Sequence, residues 1–84
     1  MTSRDDVKNS LIHLLNEIGG IPVEKVTEVA TVEEELRLSS IAFVELQVAI
    51  EDEYGIQIDP VQVVELNQFG AIVDYVFDCA TGQA

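Results

Sequence analysis

The fold of this chain depends on residues 38–46, which read Leu38-Ser39-Ser40-Ile41-Ala42-Phe43-Val44-Glu45-Leu46. Two hydroxyls precede an apolar helix, on which successive residues lie about 100° apart. One stripe, which we expect to face the core, contains Phe43, Leu46, Ile50 and Tyr54. A second stripe on the opposite side contains Ile41, Val44 and Val48, with the acids Glu45, Glu51 and Asp52 beside it. A surface helix needs only one apolar stripe to join a core, so the second stripe requires a separate role.

Length and cysteine content predict one small domain over residues 1–84. Cys79 is the only cysteine, so core packing must hold the fold without a disulfide, and a reducing compartment fits best. The N-terminus is charged, and no uninterrupted apolar run approaches the ~18 residues of a membrane span. We therefore expect a soluble, cytoplasmic monomer.

Charge is the strongest global feature. Four Lys and Arg residues oppose sixteen Asp and Glu residues, which gives a net charge of −12. Such a surface repels nucleic acids and anionic membranes and attracts basic protein partners. The composition therefore predicts no nucleic-acid or membrane partner.

Helical spacing and capping residues predict an all-α fold. Ser3 is a candidate N-cap for a first helix that ends at Gly19-Gly20. Residues 21–38 form a long connection, with a capped turn predicted from Thr31 to Leu36. We expect three valines to pin this connection to the core: Val23, Val26 and Val29.

The second half of the chain predicts three further helices. The central helix ends at Glu53 or Tyr54, before Gly55, and Asp59-Pro60 opens a short helix over residues 61–66. Asn67 is a candidate cap for the last helix, and Gly70 is expected to loosen its start. The apolar face of that helix comprises Phe69, Ile72, Val73 and Val76. Residues 81–84 are expected to fray. The sum is a four-helix bundle with three main helices and one short helix.

Capping geometry separates the two serines. With Ser39 as N-cap, Leu38 and Phe43 take the N′ and N4 positions of a hydrophobic staple, whereas capping by Ser40 loses the staple. Ser39 is therefore the predicted cap, and the Ser40 hydroxyl is free at a helix N-terminus. A nearby anion gains about 0.3–1 kcal/mol there. The alternative is that both serines only cap the helix.

At these residues the chain resembles the acyl and peptidyl carrier proteins. Ser39-Ser40-Ile41, then Val44-Glu45-Leu46, then Ala49-Ile50-Glu51-Asp52-Glu53-Tyr54 resemble that family's signature: Asp-Ser-Leu, Val-Glu-Leu and an acidic run before an aromatic. The resemblance extends from the first helix through Ala71-Ile72-Val73-Asp74-Tyr75-Val76. It implies the family's small four-helix bundle with a long loop between its first two helices, and a carrier that is not an enzyme.

The resemblance also implies a cofactor and partners. The motif serine of the family carries 4′-phosphopantetheine, added from coenzyme A by a phosphopantetheinyl transferase, and here that residue is Ser40. Acyl or aminoacyl groups would be held on the arm as thioesters and presented to loading, condensing or tailoring enzymes with basic docking patches. The residues implied to meet these partners are Ile41, Val44, Glu45, Val48, Glu51 and Asp52.

Two residues depart from the family pattern. Ser39 replaces the Asp before the motif serine, so it can cap the helix but brings no carboxylate for the transferase. Arg37 stands where Gly is common. There it can pair with the phosphate of the arm or influence partner choice, or it is an exposed arginine that contributes little. These departures leave open an unmodified, carrier-like acidic adaptor that binds a partner through its central helix.

Two other classes of function are disfavoured by the residues. A catalytic Ser40 needs a base and an orienting group, and the single histidine, His13, lies on the predicted polar side of the first helix. A calcium loop with Gly55 at position six would have Ile50, which cannot ligate, at position one. We expect a free-standing carrier of polyketide, nonribosomal peptide or fatty acid biosynthesis, and Ser39 slightly favours the first two.

Overall fold

A computed structural model describes residues 2–82 and places most of them in four helices. These are α1 (Arg4–Gly19), α2 (Ser40–Tyr54), α3 (Pro60–Leu66) and α4 (Phe69–Thr81). Two short helical turns, Val23–Lys25 and Val32–Leu36, interrupt the connection between α1 and α2. The predicted all-α bundle of three main helices and one short helix is confirmed.

Local capping determines where α1 and α2 begin and end. The Ser3 hydroxyl accepts the N–H of Asp6 at 3.1 Å, and the Asp6 carboxylate accepts the N–H of Ser3 at 3.1 Å. Both helices end at a glycine with a left-handed backbone, Gly20 with φ 65° and Gly55 with φ 63°. Left-handed glycines of this kind terminate helices without steric cost.

The core lies between α1, α2 and α4, with α3 packed on α4. Its buried helix residues are Val7, Leu11, Leu15, Ile50, Val63, Phe69, Ile72, Val73 and Val76. The predicted apolar face of the last helix is therefore confirmed in full. Because α2 contributes only Ile50 to the fully buried set, most of its apolar surface is left partly or wholly accessible.

The α1–α2 connection is held differently from the prediction. Of the three valines expected to pin it, only Val26 is buried; Val23 is 54 % and Val29 is 71 % exposed. Three further residues of the connection, Ile21, Ala30 and Leu36, are buried in the core. Its backbone attaches it as well, because its carbonyls cap α4. The N–H of Phe69 donates to the carbonyl of Ala30 at 2.7 Å, and that of Gly70 donates to the carbonyl of Glu28 at 2.9 Å.

The expected cap of α4 is also wrong. Asn67 ends α3 with a left-handed backbone (φ 63°), and Gln68 occupies the N-cap position of α4 without a side-chain hydrogen bond. The carbonyls of the connection take over the capping role. Gly70 is buried, and a Cβ there would stand 3.0 Å from the Glu28 carbonyl oxygen, so a glycine allows this close approach. Its expected effect on the stability of the helix start stays a prediction.

The turn Val32–Leu36 is wider than an α-helical turn. The N–H of Leu36 donates to the carbonyl of Thr31 and the N–H of Arg37 to that of Val32, each five residues back. The Thr31 hydroxyl accepts the N–H of Glu34 at 3.2 Å, as predicted. The reciprocal bond comes from the Glu35 carboxylate, which accepts the N–H of Thr31 at 2.9 Å.

A cluster of ion pairs joins α1, the connection and α4. The Glu28 carboxylate contacts Arg4 at 2.8 Å and Lys8 at 3.0 Å, and Arg4 also contacts Asp74. Hydrogen bonds from Arg4 and then Lys8 lower the pKa of Glu28 to about 2. At the other end of α4, Thr81 is the last helical residue and Gly82 its cap, so the fraying expected from residue 81 is not seen at these positions. Gln83 and Ala84 lie outside the described residues.

Candidate functional site

The two serines at the start of α2 have different roles in the structure. The Ser39 hydroxyl accepts the N–H of Ala42 at 3.1 Å, and the Ser39 carbonyl accepts the N–H of Phe43 at 2.9 Å. Ser39 is therefore the N-cap, and Ser40 is the first residue of α2. Ser40 is exposed, and its hydroxyl has no capping task.

An open groove of about 340 Å³ lies beside the two serines. It is lined by Val32, Leu38, Ser39, Ser40, Phe43, Val44 and Val64. Leu38 and Phe43, the predicted staple pair, both line it. The groove therefore gives Ser40 a mostly apolar surrounding that is accessible to solvent.

A small cavity of about 30 Å³ lies in the core, next to the groove. Three residues, Val32, Leu38 and Phe43, line both spaces and so separate them. The cavity wall is apolar except for Gln47. The side chains of these three residues therefore stand between the groove at Ser40 and the interior.

The second apolar stripe of α2 faces solvent. Ile41 is 73 %, Val44 is 56 % and Val48 is 50 % exposed. On the opposite stripe Ile50 is buried, and Phe43, Leu46 and Tyr54 are half-buried against the core. The structure thus confirms the two stripes predicted from the sequence. The outer stripe leaves an apolar strip that runs along α2 from the serine.

The three acids beside this strip are not equivalent. Glu45 and Asp52 are exposed, whereas Glu51 is half-buried. One carboxylate oxygen of Glu51 accepts the N–H of Ile58 at 3.0 Å. Glu51 therefore ties α2 to the segment before α3, a role that sequence spacing did not reveal. Its second oxygen remains for other contacts.

Arg37 occupies an unusual backbone conformation just before the serines. It is exposed and left-handed, with φ 44°, and its N–H donates to the carbonyl of Val32 at 2.9 Å. Such a conformation favours glycine. The replacement of a common Gly by Arg37 was visible in the sequence, but the strain was not.

Sequence reasoning missed the contribution of α3. Val64 lines the groove together with Val44, and both Val61 and Val64 are exposed. The signal was available, because a seven-residue helix with three valines carries more apolar surface than one buried face needs.

The histidine of the chain lies away from the groove. The single histidine, His13, contacts Glu17 at 2.8 Å on the solvent side of α1 and does not line the groove. Ser40 is accessible but has no histidine base to activate it. Within residues 2–82, no helix has both the length and the apolar composition needed to cross a membrane.

Comparison with known proteins identifies the class. Residues 9–76 match the family model described as the phosphopantetheine attachment site. The chain is 31 % identical to the acyl carrier protein of Acidothermus cellulolyticus, over 88 % of each chain. It is 32 % identical to that of Saccharopolyspora erythraea, over 89 % of this chain and 79 % of the relative. A meromycolate extension acyl carrier protein of Mycolicibacterium aurum is 28 % identical over 88 % and 76 %.

This chain belongs to the acyl carrier protein family. It is a carrier with a covalently attached 4′-phosphopantetheine group, and not an enzyme. Its partners are in general a phosphopantetheinyl transferase and biosynthetic enzymes. The residues present fit such a group, because an exposed, unengaged hydroxyl stands at the edge of an open groove.

Proposed function

We propose that Ser40 is the attachment residue and that the protein is a free-standing carrier of acyl or aminoacyl intermediates. The observation that carries the proposal is that the two serines at the start of α2 have different roles. The Ser39 hydroxyl accepts a backbone N–H at the helix N-terminus, which leaves the exposed hydroxyl of Ser40 available. The partial positive charge of a helix N-terminus favours the phosphate that this hydroxyl would bear.

The residues around Ser40 position the group and its partners. When bound, the arm supplies a thiol that holds cargo as a thioester. The apolar strip of α2 offers contact area to a partner, and Glu45, Asp52 and the second oxygen of Glu51 offer negative charge at its edge. Arg37 places a cation before the serine, where it faces the phosphate or a partner carboxylate. None of these residues acts as acid, base or nucleophile.

The cavity limits what the interior holds without rearrangement. On the scale on which one water molecule needs about 10–15 Å³, this cavity measures about 30 Å³. Cargo too large for the cavity stays in the groove or displaces the side chains that separate the two spaces. The apolar wall favours aliphatic over charged cargo.

The pathway we propose is polyketide, nonribosomal peptide or fatty acid biosynthesis. The fatty-acid alternative is supported by relatives named as acyl carrier proteins, including the meromycolate extension carriers. Ser39 in place of Asp favours one of the specialised pathways, with a transferase that does not need the carboxylate. Cys79, which is free, suits the reducing cytoplasm, and we propose that the protein acts there as a monomer.

Intact-mass measurement tests the attachment site. The protein is incubated with coenzyme A and a broad-specificity phosphopantetheinyl transferase, and a gain of one arm is expected. The gain should vanish in Ser40→Ala and persist in Ser39→Ala, with circular dichroism confirming that both variants fold. If no transferase modifies the wild type, the unmodified acidic adaptor, which binds a partner through α2, becomes the better interpretation.

A further inference from the structure

Gly19, the last residue of α1, has no backbone reason to be a glycine. Its backbone is helical, whereas Gly20, the residue that ends the helix, has the left-handed φ of 65°. Alanine is the stronger helix former at a helical position. The neighbouring side chains give a reason, because a Cβ at Gly19 would stand 2.9 Å from Cδ2 of Leu38 and 3.3 Å from Cδ1 of Ile21. Carbon atoms in contact lie about 3.5–4.0 Å apart, so the absence of a side chain at Gly19 makes room for Leu38.

Leu38 lies where this contact affects the site. It is one of three residues, with Val32 and Phe43, that line both the groove and the core cavity. The backbones of the other two are held, because the N–H of Val32 donates to the carbonyl of Asn67 at 2.9 Å and Phe43 lies within α2. Leu38 lies outside the helices, and within residues 2–82 it forms no backbone–backbone hydrogen bond. Of the three side chains, that of Leu38 therefore depends most on packing for its position.

The space around Leu38 determines where its side chain can move. Gly19 lies on one side, and the groove of about 340 Å³ and the cavity of about 30 Å³ are the spaces that Leu38 itself lines. A Leu38 side chain displaced from Gly19 therefore moves into the boundary between these two spaces. The cavity wall is apolar except for Gln47, so this boundary is suited to an aliphatic chain and unsuited to a charged one.

We propose that Gly19 is a specificity-determining residue: by leaving room for Leu38, it keeps the boundary between groove and cavity passable for the aliphatic end of the cargo. This proposal rests on the attachment of the arm at Ser40 proposed above. The cargo class is a short, unbranched acyl group, because a cavity of about 30 Å³ has room for about two groups the size of a water molecule. A side chain at position 19 narrows the boundary and excludes such a chain.

Thermal unfolding of acyl-loaded carriers tests the role of Gly19. A broad-specificity phosphopantetheinyl transferase moves the acylated arm of acetyl- or butyryl-coenzyme A to the Ser40 hydroxyl and releases adenosine 3′,5′-bisphosphate, and intact mass verifies the loading. The measured quantity is the unfolding temperature of the butyryl form minus that of the acetyl form, which cancels differences between the unloaded variants. We expect about 5 °C for the wild type, because two further CH₂ groups are buried. In Gly19→Ala the difference should fall below about 2 °C.

The substitution Leu38→Val separates the proposed contact from other effects at position 19. Valine has no δ carbon, so it lacks the atom that a Cβ at position 19 would contact, while Ile21 is unchanged. Leu38→Val alone should keep at least the wild-type difference, and G19A/L38V should recover about 5 °C. If G19A/L38V stays as low as Gly19→Ala, the contact with Leu38 is not responsible and the proposal is overturned.

Val44→Ala is the control, because Val44 lines the groove but not the cavity. Its difference between butyryl and acetyl forms should equal that of the wild type. A difference lost in Val44→Ala but kept in Gly19→Ala would place the chain in the groove and overturn the proposal. A wild-type difference near zero would also overturn it, since the boundary would then not admit the chain. In both cases the loaded arm leaves the proposed function standing, whereas failure to load any arm would refute both.

Discussion

Arg37 has a backbone conformation that is unfavourable for a residue with a side chain. Its φ of 44° lies in the left-handed region. Residues other than Gly, Asn and Asp are unfavourable there by roughly 1–2 kcal/mol. The turn Val32–Leu36 requires this conformation, because the N–H of Arg37 closes it on Val32. A glycine would satisfy the turn without strain, so the geometry of the turn does not explain an arginine at this position.

Arg37→Gly should therefore stabilise the protein. We expect the free energy of unfolding to rise by about 1 kcal/mol, since relief of strain exceeds the added freedom of the unfolded chain. Urea denaturation followed by circular dichroism measures this change. Arg37→Gln is the matched control, because it removes the charge but keeps the strain, and it should leave the stability nearly unchanged. Equal stabilisation by both variants would show that charge, and not backbone strain, is responsible.

Ser39 and Ser40 should be separable without any enzyme. Ser39→Ala removes the hydroxyl that accepts the Ala42 N–H and should lower the free energy of unfolding by about 1 kcal/mol, the usual cost of losing an N-cap. Ser40→Ala removes an exposed hydroxyl and should change it by less than about 0.5 kcal/mol. Urea denaturation of the unmodified proteins gives both values. A larger loss of unfolding free energy in Ser40→Ala than in Ser39→Ala would contradict the assignment of Ser39 as the N-cap.

At the scale of elements, α1, α4 and the connection are tied at Glu28. Its carboxylate meets Arg4 and Lys8, and its backbone carbonyl caps α4. The buried Gly70 allows this close approach, since a Cβ would meet both the carboxylate and the carbonyl of Glu28. The Glu28 contacts thus hold the connection in addition to its buried side chains, Ile21, Val26, Ala30 and Leu36.

The Glu28 cluster predicts a specific pH dependence. Pairing lowers the pKa of Glu28 from 4.5 to about 2 on folding, so its stabilising contribution is fully present above about pH 4.5. It is lost as the pH falls through 2, because the unfolded state then binds a proton more readily than the folded state. The urea midpoint of Glu28→Gln should lie below that of the wild type at pH 6, and the gap should narrow towards pH 2.

A second acid of the connection provides the control for that measurement. Glu24 is exposed, and Glu24→Gln experiences the same general change in protein charge as Glu28→Gln. Its urea midpoint should follow that of the wild type across the whole pH range. A gap between wild type and Glu28→Gln that stayed constant down to pH 2 would refute the ion-pair explanation.

At the scale of the whole molecule, the net charge of −12 attracts basic partners from a distance, while position on α2 decides where they dock. The variant E45K/D52K should weaken capture by the phosphopantetheinyl transferase, with a rise of about tenfold in KM at low salt that diminishes as salt screens the charges. Glu51 is left intact in this test, because its reversal would also break the bond to Ile58.

The variant E24K/D78K has the same net charge as E45K/D52K and serves as its control. Both substituted residues are exposed, one in the connection and the other on α4. If only net charge governs capture, the two variants should have equal KM values. If the transferase contacts the surface of α2 specifically, the KM of E24K/D78K should remain close to that of the wild type.

The amino-acid sequence is sufficient to predict the helices, the N-caps of α1 and α2, and the distinction between the two serines. These features depend on residues within four or five positions of one another, such as Ser39 with Ala42 and Phe43, and such contacts follow from helical geometry. The family resemblance was also readable, because its motif is continuous from Ser39 to Tyr54. Two apolar stripes on α2 were evident for the same reason.

Only the tertiary structure decided how distant segments meet. The exposure of Val29, the capping of α4 by Ala30 and Glu28, and the groove between Val44 and Val64 all join residues that are far apart in the chain. Local patterns show which residues are apolar or able to cap a helix, but not which distant backbone groups will become their hydrogen-bond partners. Ser40 could thus be proposed from the sequence, whereas the groove beside it, lined by the α1–α2 connection, α2 and α3, could not.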